Sequence, residues 1–415
     1  MKNSTPIHWI KCQLSQFIYL HNGYAFESKY YQKHGIPLVR ISNLTTTHQI
    51  VFDEMICVKD KPEYQNFVIK KGDLLLAMSG ATTGKLAIYD SSIKVFQNQR
   101  VGNLKISNKN VCYDKFRNYL FFSLSNTILK LAYGGAQPNI SSTKLLSLSC
   151  ALPPMAEQKR IVRKIEELFG VIDRDIQRLT DTLEQLSQFR QSVLEKLLNN
   201  PVYPQISFND GIEKIIGGST PSKTVSAYYE GHIPFMTVKD MTSPRPQDTA
   251  WHITQEAVDN CSTHIIPANT LITATRVGLG KTVLMPFPVA INQDLKALVL
   301  NKNKVNTRFF EFILNAKTTE IISKSRGTTV KGITLEDFKS IKFYLPTLPE
   351  QQKIVDEIEK AFCSADKVQK TVQNALEEAK KLKQSILKKA FAGELVPQDP
   401  NDKPVNLPVL KGKTK

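Results

Sequence analysis

Apolar residues recur at every seventh position in two long stretches of the chain. In the first they are Ile165, Ile172, Leu179, Leu186 and Val193; in the second they are Ile358, Ala365, Val372, Ala379 and Ile386. A seven-residue apolar repeat held over nearly five heptads predicts a coiled-coil seam. The second stretch also fills the companion position, with Ile354, Ala361, Val368, Ala375 and Leu382. The first fills it with Ile161, Leu168 and Phe189, while Asp175 and Thr182 interrupt it beside Ile176 and Leu183. Leu and Ile on one seam complement Ala and Val on the other, so the two helices are expected to pair within one chain. The pattern alone leaves open a coil between chains, or two unrelated helices.

Both stretches begin with nearly the same words. "LPPMAEQKRIV" runs from Leu152 to Val162, and "LPTLPEQQKIV" follows 193 residues later, from Leu345 to Val355. Thr347 and Glu350 make a T-x-x-E capping signature, with Pro349 in the first turn, where its missing N–H costs least. The first copy has Pro154 in place of the threonine and keeps Glu157. "NNP" at 199–201 ends the first helix, and Gly393 is the expected C-cap of the second. Each helix is expected to be roughly 45 residues, or about 65 Å long.

The segments between are mixed in pattern and also repeat. "YAFESKYYQKHGIPLVRISNL" has a counterpart in "GGSTPSKTVSAYYEGHIPFMTVKDM": a small-residue turn, aromatics, an Ile-Pro, then a β-branched run. "GDLLLAMSGATTGKLAIY" matches "ANTLITATRVGLGKTVLM" as strand, glycine turn, strand, and Asn98-Gln99 stands over Asn292-Gln293. The polar loops "YGGAQPNISS" and "SRGTTVKGIT" each lead into a short helix, a strand and the Leu-Pro entry. The predicted fold is α+β: two similar mixed α/β domains separated by two long helices paired as an antiparallel intramolecular coiled coil. The expected divisions are 1–152, the central helix 153–200, 201–346, the C-terminal helix 347–393 and a tail, 394–415.

Charge narrows the function. The net charge of +17 is uneven: +10 over residues 1–150, zero over 151–200, +4 over 201–344 and +3 over 345–415. A positive excess concentrated in the globular parts favours a polyanionic partner. The six cysteines are scattered without a C-x-x-C pair, which fits a reducing cytoplasm better than a disulfide framework or a zinc site. No apolar run is long enough to span a membrane, and the start lacks the apolar core of a signal peptide.

The glycine turns invite a phosphate-loop reading, which fails. G-x-x-x-x-G-K-[ST] would need glycine where Ser79 and Thr275 stand. Strand turns carrying Ser, Thr, Arg and Lys suit contact with DNA phosphates and base edges. The candidates in the first family of turns are Ser79, Thr82, Thr83 and Lys85, with Gln99 and Arg100, and Thr275, Arg276 and Lys281 in the second copy. The polar loops add Tyr133, Gln137 and Asn139, and Lys324, Arg326, Thr328 and Lys331. Gln and Asn read adenine bidentately and Arg reads guanine. The blander reading of all these is a set of solvated turns. No G-x-G-x-x-G, H-E-x-x-H or G-x-S-x-G motif is present, and the seven histidines do not cluster at ligand spacing.

The duplicated "LPPMAEQKRIVRKIEELF" and "LPTLPEQQKIVDEIEKAF", the openings "GYAFESKYY" and "GGSTPSK", the strands "GIPLVRISNL" and "HIPFMTVKDM", and the tail "SILKKAFAGELVPQDP" carry a resemblance over nearly the full length. The chain resembles the DNA-specificity (S) subunits of type I restriction–modification enzymes. The resemblance implies a non-enzymatic subunit with two target-recognition domains, each reading one half of a split site in double-stranded DNA, and a helical spacer between them. It implies two methyltransferase (M) subunits as partners, and motor-nuclease (R) subunits in the restriction complex. S-adenosylmethionine, ATP and Mg2+ would belong to those partners; no cofactor or metal is expected on this chain. The start of the second unit, "YPQISFNDGIEKI", is a poor copy of "IHWIKCQLSQFI". A self-contained methyltransferase or nuclease, and a non-specific coiled-coil adaptor, are the competing readings.

Overall fold

The computed structural model describes residue 6 and residues 8–53, 55–132, 138–327 and 332–407. The chain folds as two compact units, Met1–Arg178 with Ala375–Lys415, and Leu179–Asn374. Each unit therefore contains one globular part and a half of each long helix.

In the first unit the strands are β1 (Ile10–Gln13), β2 (Ile18–Asn22), β3 (Ile36–Val39), β4 (Cys57–Val58), β5 (Val68–Ile69), β6 (Leu74–Ala77), β7 (Leu86–Ile88), β8 (Val95–Gln97) and β9 (Val101–Ile106). Helices α1 (Asp114–Ser123), α2 (Ser125–Ala132) and α3 (Ser142–Leu146) follow, and β10 (Ser149–Leu152) leads into the long α4 (Met155–Leu198). The second unit has β11 (Gln205–Ser207), α5 (Phe208–Gly211), β12 (Ile212–Gly217), β13 (Ile233–Met236), β14 (Trp251–Ile253), α6 (Gln255–Asp259), β15 (Ile265–Ile266), β16 (Thr270–Ala274), β17 (Thr282–Met285), β18 (Val289–Ile291) and β19 (Leu295–Leu300). Then come α7 (Thr307–Ala316), α8 (Thr318–Ser323), α9 (Leu335–Lys339), β20 (Lys342–Tyr344) and the long α10 (Leu348–Phe391).

The two units share one topology. Sheet orders β2-β9-β6-β7 and β4-β3-β8-β5 in the first become β12-β19-β16-β17 and β14-β13-β18-β15 in the second. The central pairs β3–β8 and β13–β18 are both parallel, in otherwise antiparallel sheets. The small pair β1–β10 returns as β11–β20. The poorly copied opening of the second unit thus folds into the same place. Its Phe208 is fully buried, with ring centroids 5.2, 5.2 and 5.8 Å from Phe310, Phe338 and Phe343. Ile212 joins it in the core, with Ile206 and Ile215 packed against that core, so apolar side chains at these points suffice.

The repeated helix entry is explained by a glutamine. Gln158 is fully buried; its Nε2 donates to the carbonyls of Val111 and Pro153, and its Oε1 accepts the backbone N–H of Tyr113. Gln351, also fully buried, donates to Lys304 and Pro346 and accepts from Asn306. Each glutamine bolts the start of a long helix to the loop before a helix of its own unit, α1 in the first and α7 in the second. A conserved geometry of ion pairs flanks it: Lys115 to Glu166 at 2.8 Å, and Arg308 to Glu359 at 2.6 Å. Glu350 accepts from both the N–H and the hydroxyl of Thr347, closing the second entry.

α4 and α10 are each 44 residues. In the first unit they run antiparallel: Asp173 pairs with Lys383, whose ammonium lies 4.9 Å from the Phe169 ring, and Ile161, Val162 and Ile165 share a core with Ile386, Leu387 and Ala390. They are antiparallel in the second unit too. Arg190 meets Asp366 at 2.6 Å and stacks 5.9 Å from Phe362, while Leu194 and Leu198 share a core with Val355 and Ile358. Ile165, Ile172, Ile358, Ala365, Val372 and Ile386 are buried; Leu179, Leu186, Val193 and Ala379 are half-buried. The companion seam departs from the sequence expectation. Val368 and Leu382 are 45% and 52% exposed, and Phe189 is 46% exposed. Burial shifts instead to Val162, Leu194, Val355 and Leu387, because near its ends each helix packs on a globular part as well as on the other helix, and the apolar stripe widens there.

Candidate nucleic-acid interface

In the first unit three turns are stitched into one ridge. The β6–β7 turn is tight: Gly84 N–H donates to Ala77 and Lys85 N–H to Thr82. Gly80 and Gly84 both sit at positive φ, 88° and 87°, a region side chains rarely adopt. Met78 joins this turn to its neighbours. Its N–H donates to Arg100, in the β8–β9 turn, and its carbonyl accepts from Ile140, beyond the polar loop. Ser79 forms a backbone bridge with Asn139. The second unit repeats the stitching at Thr275, whose N–H donates to Asp294 and whose carbonyl accepts from Ile333. Arg326 and Gly332 pair across the base of the second polar loop.

Asn98 and Asn292 are buried organisers of the paired turns. The Oδ1 of each accepts a backbone N–H two residues on, from Arg100 and Asp294 respectively.

The structure separates the candidate residues by what they face. Gln99, Arg100 and Asn139 are exposed on the first ridge, and Ser79 and Lys85 are half-exposed. Arg276, Lys281 and Arg326 are exposed on the second, with Lys324 half-exposed. Three of the candidate hydroxyls are instead committed inward. Thr82 donates to Ile41, Thr83 (7% exposed) donates to Gly80 and Pro138, and Thr275 (3% exposed) donates to Asp294. Their chemistry holds the ridges together, since a buried hydroxyl must find an internal acceptor. Tyr133, Gln137, Thr328 and Lys331 lie outside the described residues.

Equivalent positions carry different charge. Unit one has Ser79 and Arg100 where unit two has Arg276 and Asp294. In the second unit Arg276 reaches Asp294 at 3.5 Å, and the carboxylate, only 15% exposed, tethers a guanidinium that is 52% exposed. Lys296 lies behind them; burial, with Arg276 adding to it, lowers its pKa from the ordinary lysine value, against the pull of Asp294. Arg326 lies 3.3 Å from Asp337.

The sequence pattern did not single out Gln293, Lys296 or Trp251. Gln293 is exposed on the turn matched to Gln99 and accepts from Thr220, so the matched Asn-Gln pair was a usable signal. Lys296 and Trp251 lie on strands whose facing is fixed only by tertiary pairing. Among the described residues no group of His, Cys, Asp and Glu could hold a metal ion, and no helix is long and apolar enough to cross a membrane.

Two α/β modules of the same sheet topology, each crested by a stitched ridge of polar and basic turns and each rooted on paired long helices, define a two-module protein. The type I restriction modification DNA specificity domain matches twice, at residues 6–185 and 204–378, and the chain belongs to that family. It is thus a specificity subunit, not a catalytic one. It is similar to the type I restriction enzyme EcoBI specificity subunit of Escherichia coli, at 24% identity covering 94% of this chain and 87% of that one. It is also similar to the MjaX specificity subunit of Methanocaldococcus jannaschii, described as putative, at 26% identity covering 86% and 87%. A solved chain from work on complex assembly and conformational transition of the type I R-M system shares its fold, with a TM-score of 0.70 and 20% identity over 94% of this chain and 99% of that one.

Proposed function

We propose that each ridge reads one half of a bipartite site in double-stranded DNA, and that the paired helices set the gap between the halves and dock two methyltransferase (M) subunits. The observation that carries this reading is the twofold occurrence of one stitched ridge with exchanged chemistry. A shared frame fixes how each unit meets the duplex, and the unlike residues on it, Ser79 and Arg100 against Arg276 and Asp294, let the two units prefer different base edges.

In this reading the chain does no chemistry. S-adenosylmethionine, ATP and Mg2+ are bound by partner subunits, with motor-nuclease (R) subunits joining for restriction, in the cytoplasm. Mapping methylated adenines in the source cells with and without the gene tests it. A split motif that disappears with the gene is expected; an unchanged methylation map overturns the assignment.

A further inference from the structure

The second unit holds an open cavity of about 770 Å³ beside its ridge. Its walls are the rings of Trp251, Tyr229 and Phe235; Val277, next to Arg276, stands at its mouth, and Lys223 and Lys239 are also part of its lining. Trp251 is 54% exposed and Val277 is 51% exposed, an unusual outlay of apolar surface for two neighbouring positions. Tyr229 meets Trp251 edge to face, centroids 5.5 Å apart at 75°, and its hydroxyl donates to Pro221, so the wall is held in place.

The first unit fills the corresponding sheet face. There Phe96 on β8, fully buried, packs against Phe26 and Tyr64, with centroids 6.0 and 5.7 Å away. On β18 the residue at the matching register is Ala290, opposite Phe235 as Phe96 is opposite Leu38. The ring is exchanged between the paired strands: unit two carries it on β13 as Phe235, where unit one has Leu38, and Phe235 lines the cavity.

Aromatic walls suit a flat π-surface, two lysines suit the phosphate attached to it, and the cavity opens beside the ridge residues. We propose that this cavity takes a nucleobase turned out of the duplex in the second half-site, stacked on Trp251. The proposal rests on the DNA-reading function above. Stacking on an aromatic side chain compensates the unstacking of the base, and the protein distinguishes sites by how readily that base leaves the helix.

The test uses the full wild-type chain and a duplex carrying the site found by methylation mapping. Trp9 is buried and Trp251 is half-exposed, so acrylamide quenches mainly Trp251 emission. The cognate duplex should shield Trp251, while a random duplex of equal length should not. Trp251→Ala should weaken cognate binding roughly tenfold or more, and Trp251→Phe should restore most of it. Placing an abasic nucleotide at the extruded position should abolish the difference between wild type and Trp251→Ala. A chain that prefers the cognate duplex yet leaves Trp251 open to acrylamide overturns the cavity proposal alone. A chain with no preference between duplexes overturns the DNA-reading function as well. Equal shielding by methyltransferase subunits without DNA would assign the cavity to a protein interface and overturn the proposal.

Discussion

Replacing Gln351 by methionine isolates what the repeated helix entry does. Methionine keeps the length and roughly the volume of the side chain, so the change removes polar partners without opening a large cavity. Gln351 makes three hydrogen bonds to backbone groups in a fully buried place. At a net contribution of about 0.5–1.5 kcal/mol each, with the partners left without a bond, the loss is about 2–4 kcal/mol. In a unit of this size that corresponds to a fall in melting temperature of roughly 5–15 °C. A Trp9→Phe background leaves Trp251 as the single tryptophan, so its emission follows the second unit alone. Thermal melts of that background with and without Gln351→Met give the number. A shift under about 1 °C would show that the glutamine is replaceable and that the motif is repeated for another reason.

Arg276→Ala should weaken binding to DNA and relax preference in one half-site by roughly 1–3 kcal/mol, measured by titration at several salt concentrations; an unchanged affinity and salt slope would place it off the DNA. Glu157, 1% exposed, has its pKa raised, chiefly by burial. Its charged form is therefore disfavoured in the folded chain, which costs stability as pH rises through the usual glutamate range. Glu157→Gln should accordingly raise the melting temperature at pH 7 and do so less at pH 4; an equal effect at both would remove ionisation as the cause. Gly218→Ala should destabilise the second unit strongly, because an added Cβ would lie 1.9 Å from the Ile291 carbonyl oxygen; a melt unchanged from wild type would contradict that packing.

The duplication was legible in the sequence because each helix entry is a long, ordered word, and because a heptad repeat advertises burial directly. The inner partition of the helices was less legible. Val368 and Leu382 fit the heptad as well as Val372 does, and only the competing surface of each globular part decides which of them faces inward. Gln158 and Gln351 read as ordinary surface residues near a helix start, since nothing local marks a glutamine for burial. At the ridges the sequence located the turns but not the direction of each side chain. Thr82, Thr83 and Thr275 turn inward to satisfy backbone carbonyls brought near them by distant segments, while Trp251 turns outward on a strand whose partner is equally remote.

Seven residues added to both helices, at the division between the units after Arg178 and after Asn374, would lengthen the spacer while preserving both heptad registers. The added rise is about 10 Å, or roughly three base pairs of B-form DNA. Methylation maps of cells carrying this chain and the lengthened one compare the two directly. Two unchanged short words with a gap about three base pairs wider are expected. An unaltered gap, or altered words at either end, would contradict a spacer that sets distance between two independent readers.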